Sequence, residues 1–296
     1  MSDSSAGPAD ASTESAAESA DDTRFHVLRT LLRSPAFLVS AAILLWWIAC
    51  ALAGHAFVPF DPYASDPLNS LTPPDHTHWC GTDQLGRDVC SRVIAGARDI
   101  LTIAPLATLA GTLTGTVLGL ITGYFEGFAG SLVARTLDAV LALPLVIVAL
   151  LVLAAVGTSN LAVVLVIGIT FAPMIARTVR AAVLTERHLD YVAAAQLRGE
   201  RAPYVMFAEI LPNVWPPVVV EATVRLGYAI FAVATLSFLG FGIQPPSADW
   251  GLALGESYAL LAGGAWWTVA FDALAIASLV VAVNLIADSL REALES

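Results

Sequence analysis

Six apolar runs alternate with polar intervals along the chain, at 36–58, 100–125, 139–156, 161–176, 215–239 and 266–287. Read as helices, such runs match the roughly 30 Å of hydrocarbon in a bilayer, the fourth being short and extending toward Val179. The pattern predicts an all-α fold, a polytopic membrane protein of six transmembrane helices. Pro105, Pro144 and Pro173 interrupt runs, and Pro212, Pro216 and Pro217 precede the fifth. Membrane helices tolerate such prolines where neighbouring helices satisfy the released carbonyls, so the pattern also predicts a packed bundle. Gly111, Gly115 and Gly119 repeat the four-residue spacing that lets helix backbones approach closely, here within the subunit.

The polar intervals orient the spans. Arg24, Arg29 and Arg33 precede the first, Arg135 lies between the second and third, and Arg177, Arg180, Arg187, Arg198 and Arg201 follow the fourth. Arginine marks the cytoplasmic side, which places both termini inside, and Arg291 agrees. Arg87, Arg92 and Arg98 fall on the outer side, each with an acidic neighbour in Asp83, Asp88 or Asp99. The expected organisation is a disordered acidic tail at 1–23 and a membrane domain at 24–296. That domain carries an external loop at about 59–99 and a cytoplasmic loop at about 177–212.

The cytoplasmic loop has its own punctuation. Asp190 is placed to cap a short helix running from Tyr191 to Arg198, and Gly199 is placed to end it in the left-handed conformation. A second helix starts near Pro203 and stops at Pro212. Ala193, Ala194 and Ala195 give the first helix a smooth flank on which another protein can seat. Loops that merely join spans are usually shorter and lack such caps.

Composition narrows the chemistry. All fourteen basic residues are arginine, so no lysine exists to serve the phosphates of a Walker A loop. Any ATP consumed must be bound by another subunit. Much of the net charge of -11 comes from the tail at 1–23, which holds six acidic residues and no basic ones. It lacks the basic start of a signal peptide, so the first apolar run is expected to remain as a span.

Ala193, Ala194, Gly199 and the Leu211, Pro212 pair resemble the EAA motif of binding-protein-dependent ABC importers of the type I fold. In that family the motif forms a coupling helix that inserts into a cleft on the ATPase, and Asp190 and Tyr191 fall in the same helix. Ala193 stands where the motif has its leading glutamate. Two further segments are similar to the dipeptide, oligopeptide and nickel branch, and to its second permease subunit. One comprises Gly81, Thr82, Asp83, Gln84, Leu85, Gly86, Arg87 and Asp88 with Ser91, Arg92, Gly96, Ala97 and Arg98. The other is the run LSFLGFGIQPP from Leu236 to Pro246, followed by Trp250 and Gly251.

The resemblance implies a bacterial inner-membrane permease subunit that imports di- or oligopeptides, with a nickel or other metal chelate as the alternative cargo. It implies a heterodimer with a homologous second permease, two ABC ATPase subunits that bind ATP and Mg, and an extracytoplasmic solute-binding protein. No catalytic residue, resident cofactor, metal site or nucleic-acid partner is expected; membrane lipid is the surrounding partner. An ATP-independent secondary transporter or an intramembrane enzyme would be a different class. The latter needs paired catalytic groups at membrane depth, and the sequence shows no evident pair there.

Several residues carry a specific and a bland reading together. Glu221 and Arg225, four apart in the fifth span, suit either the translocation path or a structural ion pair. Cys80 and Cys90 occupy external positions where the family usually has apolar residues. Buried free thiols are the favoured reading and a disulfide the alternative. Asp83 with Arg87 and Asp88 with Arg92 share the i, i+4 spacing of an amphipathic helix on the outer membrane surface, and the resemblance implies that it packs against the partner permease or steadies the binding protein. His76, His78 and Asp75 form a weak metal pattern, better read as a solvated loop. Trp266 and Trp267 suit the membrane interface, whereas Trp46 and Trp47, in mid-span, suit helix packing.

Overall fold

The computed structural model describes residues 31–125 and 128–295. The acidic tail, with Arg24 and Arg29, lies outside the described residues. Helix α1, Pro35–Phe57, starts where the Ser34 side chain accepts from the Phe37 N–H and a proline occupies the first turn. Helix α2, Val89–Tyr124, is longer than its apolar run, because Asp88 caps it and its first turns pack beneath the preceding segment. Its 36 residues span about 54 Å at the usual helical rise, so its ends lie at opposite ends of the bundle.

The expected third span is broken. Residues 139–156 do not form one helix: α3, Phe128–Leu141, and α4, Leu145–Val156, meet where Pro144 has no N–H to continue a ladder. The two arms, Leu132–Leu141 and Leu145–Val156, are bent by 91°. Gly157, at φ 95°, then closes α4, and the Ser159 side chain opens α5, Asn160–Glu186. Helix α5 runs well past the expected limit at Val179, carrying Pro173 inside it.

Pro212 does not stop a helix, contrary to its sequence reading. After α6, Asp190–Leu197, one continuous helix α7 runs over Ala202–Phe238. Its segment Val205–Ile210 is π-helical, with the Leu211 N–H reaching back to the Met206 carbonyl. This wide turn leads directly into Pro212, whose missing N–H would otherwise break the ladder at that point. The bundle closes with α8, Trp250–Ser257, and α9, Trp267–Glu295. Five described helices are long and apolar enough to cross a membrane, and the bent pair supplies a sixth when its arms count as one span.

The principal core contact is α2 against α5. An added Cβ at Gly111 would lie 2.9 Å from the Gly168 carbonyl oxygen, at Gly115 2.7 Å from that of Ala172, and at Gly119 2.6 Å from Val179 Cβ. Gly123, which the sequence reading did not include, continues the stripe against Val183. The small residues thus set the interhelical distance, as their spacing implied. Trp250 is fully buried, donates its indole N–H to the Val93 carbonyl at 2.8 Å, and meets Trp47 edge-on at 4.7 Å. The paired tryptophans divide their labour. Trp47 and Trp267 are buried and donate to Ser278 Oγ and the Thr82 carbonyl, while Trp46 and Trp266 are exposed. Trp267 is therefore a packing residue rather than an interfacial one.

Asp249, just outside the spans, caps α8 by accepting from the Leu252 N–H at 2.8 Å, while its Oδ2 has no hydrogen-bond partner. Burial pushes its carboxyl up to about 6. Folding therefore favours the protonated acid. Its stabilising contribution is full below a pH of about 4 and is lost as pH rises through about 6, by about 3 kcal/mol. Asp249→Asn is expected to raise the melting temperature relative to wild type at a pH of about 8 and to leave it nearly unchanged at a pH of about 4. Thermal unfolding in detergent at both values checks this.

Candidate functional site

Helix α6 projects between α5 and α7 at one end of the bundle. Leu189 occupies the cap position and Asp190 the first helical turn, without a side-chain cap bond. Asp190 is therefore not the N-cap its sequence position suggested; as an acid in the first turn it still complements the helix dipole. Gly199, at φ 78°, terminates the helix as expected. Its N–H donates to the Gln196 carbonyl at 2.9 Å, and that of Glu200 to the Ala195 carbonyl at 3.2 Å. This paired pattern is a Schellman motif.

The two faces of α6 differ. Val192 and Ala195 are fully buried, while Tyr191 donates its hydroxyl to Glu186 Oε2 at 2.7 Å. Burial and the Glu186 bond push the Tyr191 phenol up to about 12, so it stays a donor. Ala195 therefore packs inward and is not part of an exposed alanine flank. Asp190, Ala193, Ala194 and Leu197 are exposed and recur at i, i+3, i+4 and i+7, which puts them on one stripe. Leu197 is 90% exposed. Sequence reasoning missed it, although the spacing from Asp190 carried the signal. Arg198 Nη2 meets Glu209 Oε1 at 3.0 Å, joining the end of α6 to the π-helical turn of α7. Leu211 and Pro212 lie inside α7, beyond that turn.

The opposite end of the bundle carries the segment before α2. The residues from Asp83 to Asp88 form a tight turn rather than a surface helix. Asp83 Oδ1 accepts from the Leu85 and Arg87 N–H groups, and its Oδ2 receives Arg87 Nε at 2.6 Å. Arg87 also reaches Glu256 Oε2 on α8 at 3.1 Å. The expected Asp88 and Arg92 pair does not form. Asp88 caps α2 by accepting from the Ser91 N–H at 2.8 Å and hydroxyl at 2.7 Å, and its Oδ1 faces His78 Nδ1 at 2.9 Å. Arg92 turns instead toward Asp83, at 3.7 Å, and toward the Pro62 and Ser247 carbonyls. With Asp83, Asp88 and Arg92 all buried, the polar spacing serves internal packing.

The histidine pattern is also absorbed locally. The Asp75 carboxylate accepts from the His78 and Thr77 N–H groups, which hold it below its ordinary value. Among the described residues, no three His, Cys, Asp or Glu side chains are grouped to hold a metal ion. Cys80 and Cys90 are free thiols packed into one small apolar cluster. The neighbouring Cys90 thiol and burial push the Cys80 thiol above its ordinary value.

Within α7, Glu221 Oε1 receives both Arg225 Nε and Nη2 at 2.6 Å. Arg225 also approaches Met174 Sδ on α5 at 3.2 Å and stands 5.3 Å from the Tyr228 ring centroid. The structure brings the pair together and ties it to a neighbouring helix.

These features coincide with sequence and structural relatives. The profile described as "binding-protein-dependent transport system inner membrane component" matches residues 115–296. The di/tripeptide transport system permease protein DppC of Pseudomonas aeruginosa is 38% identical over 84% of this chain and 84% of its own length. The dipeptide transport system permease protein DppC of Escherichia coli K12 is 41% identical over 83% of each. Among solved structures, the inward-facing MetNI methionine ABC transporter is similar at a TM-score of 0.56 and 18% identity, covering 68% of this chain and 96% of that one. That likeness bears on the fold alone. With a bundle of membrane-length helices and relatives of this identity and coverage, the chain belongs to the binding-protein-dependent transport system inner membrane components, as a multi-pass permease subunit rather than an enzyme.

Proposed function

We propose that this subunit imports di- or oligopeptides, paired with a homologous second permease, two ATPase subunits that bind ATP and Mg, and an external solute-binding protein. The named peptide permeases that resemble it support this cargo over a metal chelate. Both termini are cytoplasmic in this reading, and α6 is the coupling helix. The observation that carries it is the exposed stripe Asp190, Ala193, Ala194 and Leu197 on a helix whose other face is locked into the bundle. ATP binding between the ATPases would move the stripe with its cleft, and α5 and α7 would carry that motion into the spans. Such coupling requires that the partner contact the two conformations differently. Peptide uptake in vesicles containing the reconstituted complex should require ATP and the binding protein; uptake driven by an ion gradient without any ATPase would defeat this reading.

Glu221 and Arg225 are assigned to the translocation pathway, with Arg225 available to a peptide carboxylate and Glu221 to an amino terminus. Replacing both by alanine avoids stranding one buried charge, a loss that typically costs about 3–5 kcal/mol. The double variant is expected to assemble normally and to lose roughly tenfold or more in uptake rate, about 1.4 kcal/mol in coupling. Equal yields with unchanged uptake would reduce the pair to a structural one.

A further inference from the structure

Cys80 and Cys90 flank one closed turn. Thr82 forms an antiparallel bridge with Asp88, and the Val89 N–H donates to the Gly81 carbonyl at 3.1 Å. Cys80 and Cys90 each lie one residue beyond this closed pair, Cys80 in a turn and Cys90 in the first turn of α2. Both belong to a small cluster with Val89, Ala265 and Trp267, separate from the main core that contains Cys50. Cys80 is buried, whereas Cys90 is half-buried and open to attack.

We propose that Cys80 and Cys90 form a disulfide that staples the segment before α2 to the first turn of that helix. This rests on the orientation given above, which exposes this end of the bundle to the external, oxidising side. The co-reactant is a disulfide-bearing thiol oxidant. Cys90 thiolate attacks one oxidant sulfur, forming a mixed disulfide and releasing the other sulfur as a thiolate. Cys80 thiolate then attacks Cys90 Sγ, forming the internal bond and releasing the second oxidant thiolate. Two protons leave the cysteines and two electrons reduce the oxidant. The staple would reinforce a segment already joined to α8 through Arg87 and Glu256 and to α9 through Thr82 and Trp267. It therefore braces the surface presented to the binding protein.

The chain has three cysteines, so alkylation counts them directly. Assembled complex isolated without reductant, exposed to oxidised glutathione, then acid-quenched, denatured and treated with iodoacetamide should carry one adduct, on Cys50. Prior reduction should give three. Reduction should also lower the melting temperature of wild type by several degrees and leave C80S/C90S unchanged. Three adducts without reductant would overturn the staple.

Orientation is read separately from Leu68, which is 96% exposed in the same segment. Leu68→Cys, in a chain with Cys50→Ala, Cys80→Ser and Cys90→Ser, should react with an impermeant maleimide on right-side-out vesicles. Labelling together with reduced native thiols rejects the staple alone. No labelling overturns the orientation, and with it the oxidising exposure that the staple requires.

Discussion

Replacing Gly115 with leucine is expected to abolish recovery of folded permease. An added Cβ would sit 2.7 Å from both the Ala172 carbonyl oxygen and Ile175 Cβ, and the remaining leucine carbons have no space between α2 and α5. The nearest obstacle is backbone, which cannot rotate away, so α2 and α5 must separate. Overpacking of this kind costs about 1–3 kcal/mol where side chains can adjust, and more where they cannot. Because Gly111, Gly119 and Gly123 contact the same helix, separation at Gly115 loosens the whole seam. Gly263 is the matched control: it has nothing within 4 Å and no positive φ, so Gly263→Leu should be recovered at the wild-type level. Membrane yield and monodispersity in detergent read both variants. Normal recovery of Gly115→Leu would mean the seam is not what holds α2 to α5.

That seam was legible in the sequence because a four-residue glycine spacing has one geometric meaning on a helix. The same clarity attached to Gly199, whose left-handed φ ends α6 where the sequence placed the stop. Proline was harder to read. Pro105 and Pro173 lie inside helices, Pro144 marks a 91° bend, and Pro212 follows a π-helical turn. Each removes one donor, but whether the chain kinks, widens or stops depends on neighbours that no local pattern reveals.

Charged residues near α2 misled for a related reason. Asp83, Arg87, Asp88 and Arg92 have helical spacing, yet their partners include Glu256 and the Ser247 carbonyl, far along the chain. Long-range partners converted an apparent surface helix into a buried, hydrogen-bonded turn. Ala195 and Leu197 show the same limit on α6, since only the packing of Val192 decided which face turned inward.

Leu197→Glu is expected to disconnect the permease from its ATPase while leaving the permease folded. The side chain is 90% exposed, so substitution should change the fold by no more than about 0.5 kcal/mol. In the proposed cleft the consequence is different, because an apolar anchor is lost and an unpaired carboxylate must be desolvated. A central anchor of this type is worth about 2 kcal/mol or more, which predicts at least roughly thirtyfold weaker ATPase association. Uptake should fall with it, while the yield of the membrane subunit stays constant. Ala193→Glu provides the contrast on the same exposed stripe. It supplies the acid that the resembling motif carries, so ATPase association should survive. If both variants lose the ATPase equally, any charge on the stripe is intolerable and the cleft has diverged from the family's. If Leu197→Glu binds and transports normally, α6 is not the docking element. A split result, with only Leu197→Glu uncoupled, places the apolar end of the stripe in the cleft and leaves its acidic beginning at the rim.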